Sequence, residues 1–318
     1  MRRIGGYGRE FVVSHEAQRS GVDKGPHLRR IGGYGLVLVA ATLWATLGLF
    51  YKGLAASGLP LLTIVFFRAG IAALALFLAL LWRDRASLRL GRRDVLFFLA
   101  FGLVGVAAFY VVYIHAIDRA GMGVAAVLMY TAPIWVSLYS MLFLGERWTL
   151  RRGGALLLAF AGCALVGRAY DPAGMRLNGP GVLAGLGAGL TYGAYTVFSK
   201  MAQRRHTAWA TLAWALGIGA LFLLPLQSPT ALARALTHPS TLFWLVMLGL
   251  VPTLGGGLAF NLGLRRVPAS NASIVATLEP VIAAVLGWAV WGERMEGPQV
   301  VGAALVLTAV VLLRRRET

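Results

Sequence analysis

The sequence predicts an all-α polytopic membrane protein whose ten transmembrane helices form two inverted five-helix repeats, and three observations carry this. Hydrophobic residues make up 58% of the 318 residues and charged ones 13%, a composition suited to lipid rather than to water. Apolar runs recur about ten times between short polar breaks, and most reach the roughly 20 residues a helix needs to cross the hydrocarbon core. PIWVSLYSMLFLGER at 133–147 is matched by PVIAAVLGWAVWGER at 280–294, so a proline and a later Gly-Glu-Arg return at one offset of 147. Continuous runs without period-2 alternation exclude a barrel, which leaves helices as the way to satisfy the backbone in lipid.

The elements follow in order. Residues 1–33 form a basic, glycine-rich leader, expected to be disordered, with no apolar core for a signal peptide. In it MRRIGGYG at 1–8 returns as LRRIGGYG at 28–35, which reads as a small duplication outside any packed element. The first repeat, 34–168, holds helices at 34–52, 59–82, 95–117, 121–144 and 153–168. The second, 179–313, holds helices at 179–199, 208–226, 242–264, 269–291 and 298–313, and 314–318 is a basic tail. Trp44 and Lys52 recur as Tyr192 and Lys200 at an offset of 148, and Ala125 recurs as Ala272. A period this long suits two half-proteins rather than a solenoid.

The net charge of +18 raises the possibility of nucleic acid, but the distribution of the charge speaks against that partner. With the amino terminus inside, 23 of the 30 Lys and Arg fall on the cytoplasmic side and six, including Arg176, on the other; Arg68 lies within the second helix. This is the positive-inside pattern, and it places both termini in the cytoplasm. Five helices per half then invert the second half, so Gly145-Glu146-Arg147 falls inside and Gly292-Glu293-Arg294 outside. Inverted repeats are a recurring design of secondary transporters, whose substrate sites lie near the midplane where corresponding helices are interrupted.

The interruptions are readable. Pro133 and Pro280 stand about halfway along the fourth and ninth helices, each deleting a backbone hydrogen bond. Gly102 and Gly105 in the third helix match Pro252 and Gly255-Gly256-Gly257 in the eighth, the latter a candidate for local unwinding. Close packing explains Gly102 and Gly105 equally well. Gly181, Gly185, Gly189 and Gly193 form one ridge that lets helices approach closely.

Ionisable groups inside a membrane are paired or functional by default. Arg68 and Glu279 differ in depth by roughly 6 Å at 1.5 Å per residue, so a buried pair between them is one expectation; Arg68 snorkelling or bonding backbone carbonyls is the other. Glu279 is the only clear carboxylate near the bilayer centre. It is the obvious carrier if transport is proton-coupled, although its place beside Pro280 equally suits a structural role. His115 could contact substrate or face headgroups. Trp44, Tyr110, Tyr113, Tyr130, Trp135, Tyr192 and Tyr195 lie deep, and tyrosines at depth need hydrogen-bond partners, so an aromatic-lined cavity for a small-molecule substrate with few formal charges is expected. Cys163 is the only cysteine, the five histidines show no metal-ligand spacing, and no GxxxxGK[ST] loop appears. No metal, cofactor, catalytic residue or ATP hydrolysis is expected.

The doubled five-helix unit, the FFRAG around Arg68, the proline helices ending in GER and the LEPV at 278–281 resemble the EamA-type members of the drug/metabolite transporter superfamily over roughly 34–313. The resemblance implies two inverted bundles around a central cavity bounded by helices three, four, eight and nine, with contributions from one and six. It brings to mind the bacterial amino acid exporters, including the aromatic type. The substrate site expected from both readings comprises Trp44, Tyr110, Tyr113, Tyr130, Pro133, Tyr192, Tyr195, Gly256 and Pro280, with Arg68 and Glu279 as buried charge or coupling groups. The function implied is export of neutral or aromatic amino acids across the bacterial inner membrane. A drug or nucleotide-sugar carrier of the same fold is the alternative, and a membrane-embedded enzyme built on Glu279 and His115 a weaker one.

Overall fold

The computed structural model describes residues 26–171 and 178–314. The first copy of the leader octapeptide, Arg176 and the last residues of the tail lie outside them. Among the described residues the chain is helical, with no strand. Eight runs are long and apolar enough to cross a membrane: α1 Ile31–Ser57, α2 Leu61–Arg83, α3 Arg92–Ala120, α4 Met122–Leu144, α6 Gly179–Ala202, α7 Ala208–Leu226, α8 Pro239–Leu264 and α9 Ala269–Trp291. Two shorter apolar helices, α5 Leu150–Val166 and α10 Gly297–Arg314, pack against each other. A short helix, Pro229–Thr237, capped by Ser228, links α7 to α8. Leu74, Leu78, Leu142, Leu157, Leu183 and Leu221 point outward and stay more than half exposed; in lipid no solvent penalises them.

Packing between the halves follows one rule. α1 lies against α8 and α9, while α6 lies against α3 and α4; α2 meets α7 and α8, and α7 meets α2 and α3. α4 touches α9, and α5 touches α10. This pattern is unchanged when α1–α5 and α6–α10 exchange places. The glycine ridge of α6 is its tightest seam. A Cβ on Gly181 would stand 2.8 Å from that of Ala120, one on Gly189 2.9 Å from the Leu128 carbonyl oxygen, and one on Gly193 2.8 Å from the Trp135 Cβ.

The Gly-Glu-Arg copies are helix stops. Gly145 and Gly292 sit at φ +71° and +68°, a region that suits glycine. The next amides turn back six residues, Glu146 N to Ser140 O at 3.1 Å and Glu293 N to Gly287 O at 3.4 Å, a bond one residue longer than that of a Schellman cap. Each motif therefore ends a helix and leaves a glutamate side chain free to reach a neighbour.

The interruptions take two forms. Matched eight-residue π-helical segments occupy Phe101–Ala108 in α3 and Gly249–Gly256 in α8. The expected unwinding at Gly255–Gly257 is therefore corrected: the helix widens rather than opens, so the backbone keeps its internal bonds. Gly102 answers to packing, since a Cβ there would lie 2.5 Å from Ile218. The second form is a single broken turn at Thr46 in α1, at Tyr130–Thr131 in α4 and at Thr277 in α9. Each threonine hydroxyl donates to the carbonyl three residues back, at 2.6 Å to Leu43, 2.7 Å to Leu128 and 2.6 Å to Ile274. Pro133 and Pro280 fall in the first turn after two of these breaks, where a missing N–H costs little.

The leader needs correction as well. The helix reaches back to Pro26, so the second copy of the repeated octapeptide is part of a packed element. A Cβ on Gly33 would meet the Arg266 Cβ at 2.7 Å and the Val267 Cγ1 at 2.8 Å, and Asn271 Nδ2 donates to the Tyr34 hydroxyl at 2.8 Å. Glycine at 33 is what lets α1 approach the α8–α9 turn.

Gly189→Ala is expected to cost about 1–3 kcal/mol by overpacking and to lower the melting temperature in detergent. Gly187→Ala, whose Cβ would find only Val112 at 4.0 Å, is expected to be neutral or stabilising by up to about 1 kcal/mol from helix propensity.

Candidate substrate-binding site

The broken turns converge on two adjoining spaces. The larger, about 150 Å³, is lined by Trp44, Ala45, Leu47, Gly48, Leu49, Tyr130, Glu279, Pro280, Ala283, Leu286 and Trp291. An apolar cavity of about that volume accommodates a benzene ring. The smaller, about 10 Å³, lies between Tyr130, Ala132, Pro133, Val136, Tyr192, Thr196, Phe260, Ser273, Ala276, Thr277 and Glu279, with room for about one water. Glu279 and Tyr130 border both. The breaks at Thr46, Thr131 and Thr277 thus turn the chain where α1, α4 and α9 face the same space.

Glu279 is half-buried, and among the described residues neither carboxylate oxygen accepts a protein hydrogen bond. Arg68 is 8% exposed and is held by its surroundings. Its Nε donates to Thr253 Oγ1 at 2.9 Å, its Nη1 donates to the Tyr51 hydroxyl at 3.3 Å, and its guanidinium lies 5.4 Å from the centre of the Tyr110 ring. Thr253 itself bonds the Leu248 carbonyl inside the π segment of α8. No ion pair joins Arg68 to Glu279, and neither backbone carbonyls nor the surface takes up the guanidinium. Both expectations for Arg68 are thus corrected, because the tyrosine and threonine oxygens lie nearer. The two charges still sense each other electrostatically, and Tyr113 is within reach of both Glu279 and Tyr51.

The aromatic residues gather as a connected wall. Tyr192 stacks on Phe109 at 5.3 Å and meets Trp44 edge-on at 6.5 Å; Phe109 also stacks on Tyr113 at 5.8 Å and tilts against Tyr110 at 5.3 Å; Trp44 leans on Phe260 at 5.2 Å. Among the described residues, the hydroxyls of Tyr110, Tyr113, Tyr130 and Tyr192 meet no protein partner, yet none is sealed from solvent. Buried polar groups are normally satisfied, so these four hydroxyls are available to a guest; Tyr130 and Tyr192 border the cavities, whereas Tyr110 and Tyr113 stand behind them in the wall.

Other expected residues fall outside the two cavities, although Tyr195 stacks on Tyr192 at 6.3 Å. Tyr195 accepts from Asn261 Nδ2 at 3.3 Å and borders neither cavity. Gly256 provides room for the Trp44 indole, whose Nε1 would lie 2.7 Å from an added Cβ. His115 is exposed on α3 and borders neither space, apart from Glu279. Cys163 is buried, its Sγ 3.9 Å from the Thr277 carbonyl oxygen. Residues missed in the sequence are Tyr51, Thr253, Phe109 and Phe260. Tyr51 lay at the expected end of the first helix, which in fact continues to Ser57 and draws it inward.

The two ends of the bundle differ. At one, Glu146 accepts from the Ala269 amide at 2.6 Å and from the Ser270 hydroxyl, with Arg152 Nη1 3.7 Å away. The Glu146 and Arg152 side chains are 14% and 11% exposed. Lys200 Nζ donates to the carbonyls of Leu264 and Val267, and Gln203 Nε2 to Asn261 Oδ1 at 2.8 Å. At the other end Glu293 lies 3.3 Å from Lys52, with side chains 63% and 55% exposed, and Lys52 Nζ sits 3.4 Å from the centre of a Trp291 ring. A pair this exposed contributes little. The first end is closely bonded and buried and the second is exposed, and the larger cavity lies beside the second.

A thiol placed at Gly48 by Gly48→Cys is expected to react with a water-soluble maleimide at least ten times faster than native Cys163, measured by mass shift on the purified protein.

Comparison with known proteins gives a consistent result. The family model described as the EamA-like transporter family matches twice, over residues 31–168 and 179–315. A transporter of Archaeoglobus fulgidus is 30% identical over 89% of this chain and 96% of its own length. A probable terminal-alkyne amino-acid exporter of Streptantibioticus cattleyicolor is 28% identical, covering 89% and 93%. The pseudopaline exporter of Pseudomonas aeruginosa is 26% identical, covering 89% and 95%. A chain of known crystal structure superposes with a TM-score of 0.73 at 20% identity, over 89% of this chain and 96% of that one; at that identity the likeness is one of fold.

Proposed function

The chain belongs to the EamA-like transporter family, and from that premise we propose that it is a secondary transporter of the bacterial inner membrane, exporting neutral and aromatic amino acids by alternating access. The observation that carries the reading is the cavity at the matched breaks of α4 and α9, accessible from one end and sealed at the other. One relative carries amino-acid exporter in its name, and the aromatic wall suits an apolar body with few formal charges. Ten spanning helices follow if α5 and α10 also cross, with repeats at 34–168 and 179–313.

Inversion of the repeats is supported by the exchange-symmetric packing and by the two glutamates. Glu146 meets the start of α9, while Glu293 stands past its far end, about 35 Å away at 1.5 Å per residue. The sealed end gathers the residues counted as cytoplasmic, which supports a topology with both termini inside and the accessible cavity outside. Trp44, Tyr110, Tyr113, Tyr130, Pro133, Tyr192 and Pro280 are the proposed substrate contacts. Glu146 acts as the inner latch. By the repeat, the amide of Met122 corresponds to that of Ala269, and Glu293 would latch it when the outer end closes; Gly123 offers no counterpart of the Ser270 hydroxyl.

Counterflow of labelled phenylalanine and a panel of amino acids in proteoliposomes checks the function: exchange is expected for at least one apolar or aromatic member, and uptake of none would refute the substrate class. Glu146→Gln weakens charge-assisted bonds of about 1.5–3 kcal/mol. It is expected to raise maleimide labelling of a Ser273→Cys thiol from the cytoplasmic face by about tenfold, measured in inside-out vesicles.

A further inference from the structure

We propose that Arg68 and Glu279 are the two poles of a zwitterion site, the guanidinium taking the substrate's α-carboxylate and the glutamate its α-ammonium, with the aromatic wall holding the side chain between them. This rests on the transport reading above and names how that site recognises its substrate.

The argument starts from an imbalance. A guanidinium inside the membrane is costly unless compensated, and here its compensation is neutral: one threonine oxygen, one tyrosine oxygen and one aromatic face. Its Nη2 donates to no protein acceptor among the described residues and is not sealed away. Glu279 is the mirror case, an acid whose two oxygens accept nothing from the protein and border both cavities. The two groups are farther apart than the 4.0 Å of an ion pair but within electrostatic reach. Had the pair served stability alone, contact would serve better; a gap between opposite charges suits a dipolar guest.

The guest's chemistry follows. A planar fork favours a carboxylate, which it binds bidentately, and a carboxylate suits an ammonium. A zwitterion compensates both poles and adds no net charge, whereas an amine or an acid leaves one pole unmatched and must also lose its own hydration. Tyr51 accepts from Arg68, Tyr113 lies within electrostatic range of both Tyr51 and Glu279, and their hydroxyls would serve the desolvated head group. The larger cavity, with Trp44, Tyr130 and Trp291 in its walls and Glu279 at its edge, fits one ring. The poles occur once: Arg68 answers to Ala215 or Leu216 and Glu279 to Ala132 in the other half, so the duplicated scaffold holds a single oriented site.

The test compares phenylalanine with phenylalaninamide, which lacks the carboxylate, and N-acetylphenylalanine, which lacks the ammonium. In wild-type proteoliposomes phenylalanine is expected to exceed each analogue at least tenfold in kcat/KM. Arg68→Gln is expected to raise the KM for phenylalanine at least tenfold and to erase discrimination against the amide while keeping that against the N-acetyl compound; Glu279→Gln should show the reverse, and Arg68→Lys should recover part of the preference. Unchanged discrimination, or equal loss for all three compounds in a variant that melts like wild type, would overturn the assignment. Should a variant fail to fold, thermal protection of the wild type decides: protection by phenylalanine alone supports the site, and equal protection by an analogue overturns it. Wild-type protein that exchanges no amino acid at all defeats the transport reading instead.

Discussion

Inside a bilayer no water is available to satisfy a freed amide or carbonyl, and this constraint organises the molecule. A helix can be interrupted at depth only where the chain supplies its own replacement bonds. Thr46, Thr131 and Thr277 do so with hydroxyls turned back on carbonyls three residues earlier, and the widened turns of Phe101–Ala108 and Gly249–Gly256 do so by continuing the helix in a looser form. The threonine breaks turn into the cavities, while the π segments place Thr253 against Arg68 and Gly105 against Tyr195. Where the backbone can afford to deviate is therefore where cavity-lining and buried polar groups are displayed.

Duplication supplies the frame and departures from it supply the chemistry. The glycine stops at Gly145 and Gly292, the prolines, the π segments and the packing pattern are all paired. The charges are not. Glu279 stands where the first half has Ala132, and Arg68 where the second has an aliphatic residue. A perfectly two-fold site could orient nothing; the unpaired residues give the central space a direction. The glutamates of the two helix stops differ in environment rather than identity: one is buried against an amide and a hydroxyl, the other lies in solvent beside a lysine.

Much of this was legible in the chain. Helix limits such as 208–226 and 269–291 coincide with those observed, because turn glycines, prolines and basic clusters bound continuous apolar runs. Trp44, Tyr130, Tyr192, Pro133, Pro280 and Glu279 could be assigned to the centre because depth is simply sequence distance from a helix end. Partners were harder. Depth alone offers Arg68 the Glu279 carboxylate, backbone carbonyls or the surface, but the structure gives it Tyr51 and Thr253, since rotation about the helix axis, which sequence distance does not contain, selects among groups at equal depth. The run Gly255–Gly257 suggests unwinding for a related reason: glycine density reports that a helix deviates, and not whether it opens or widens. The second copy of the leader octapeptide was taken as unpacked because its docking surface, Gly263 to Val267, lies more than 200 residues away.

The inequality between the two ends has a consequence for affinity. A resting carrier that favours the arrangement with Glu146 seated on α9 presents its site mainly to the face beside Trp291. Ligand added from that face meets a competent site and binds with its intrinsic constant. From the opposite face the measured constant is weakened by the fraction of molecules turned that way, about tenfold for each 1.4 kcal/mol that the inner seal is the stronger. One protein with one site would then show two apparent affinities, and under the proposed export reading the outward direction would meet the weaker one, which ties outward movement to accumulation inside.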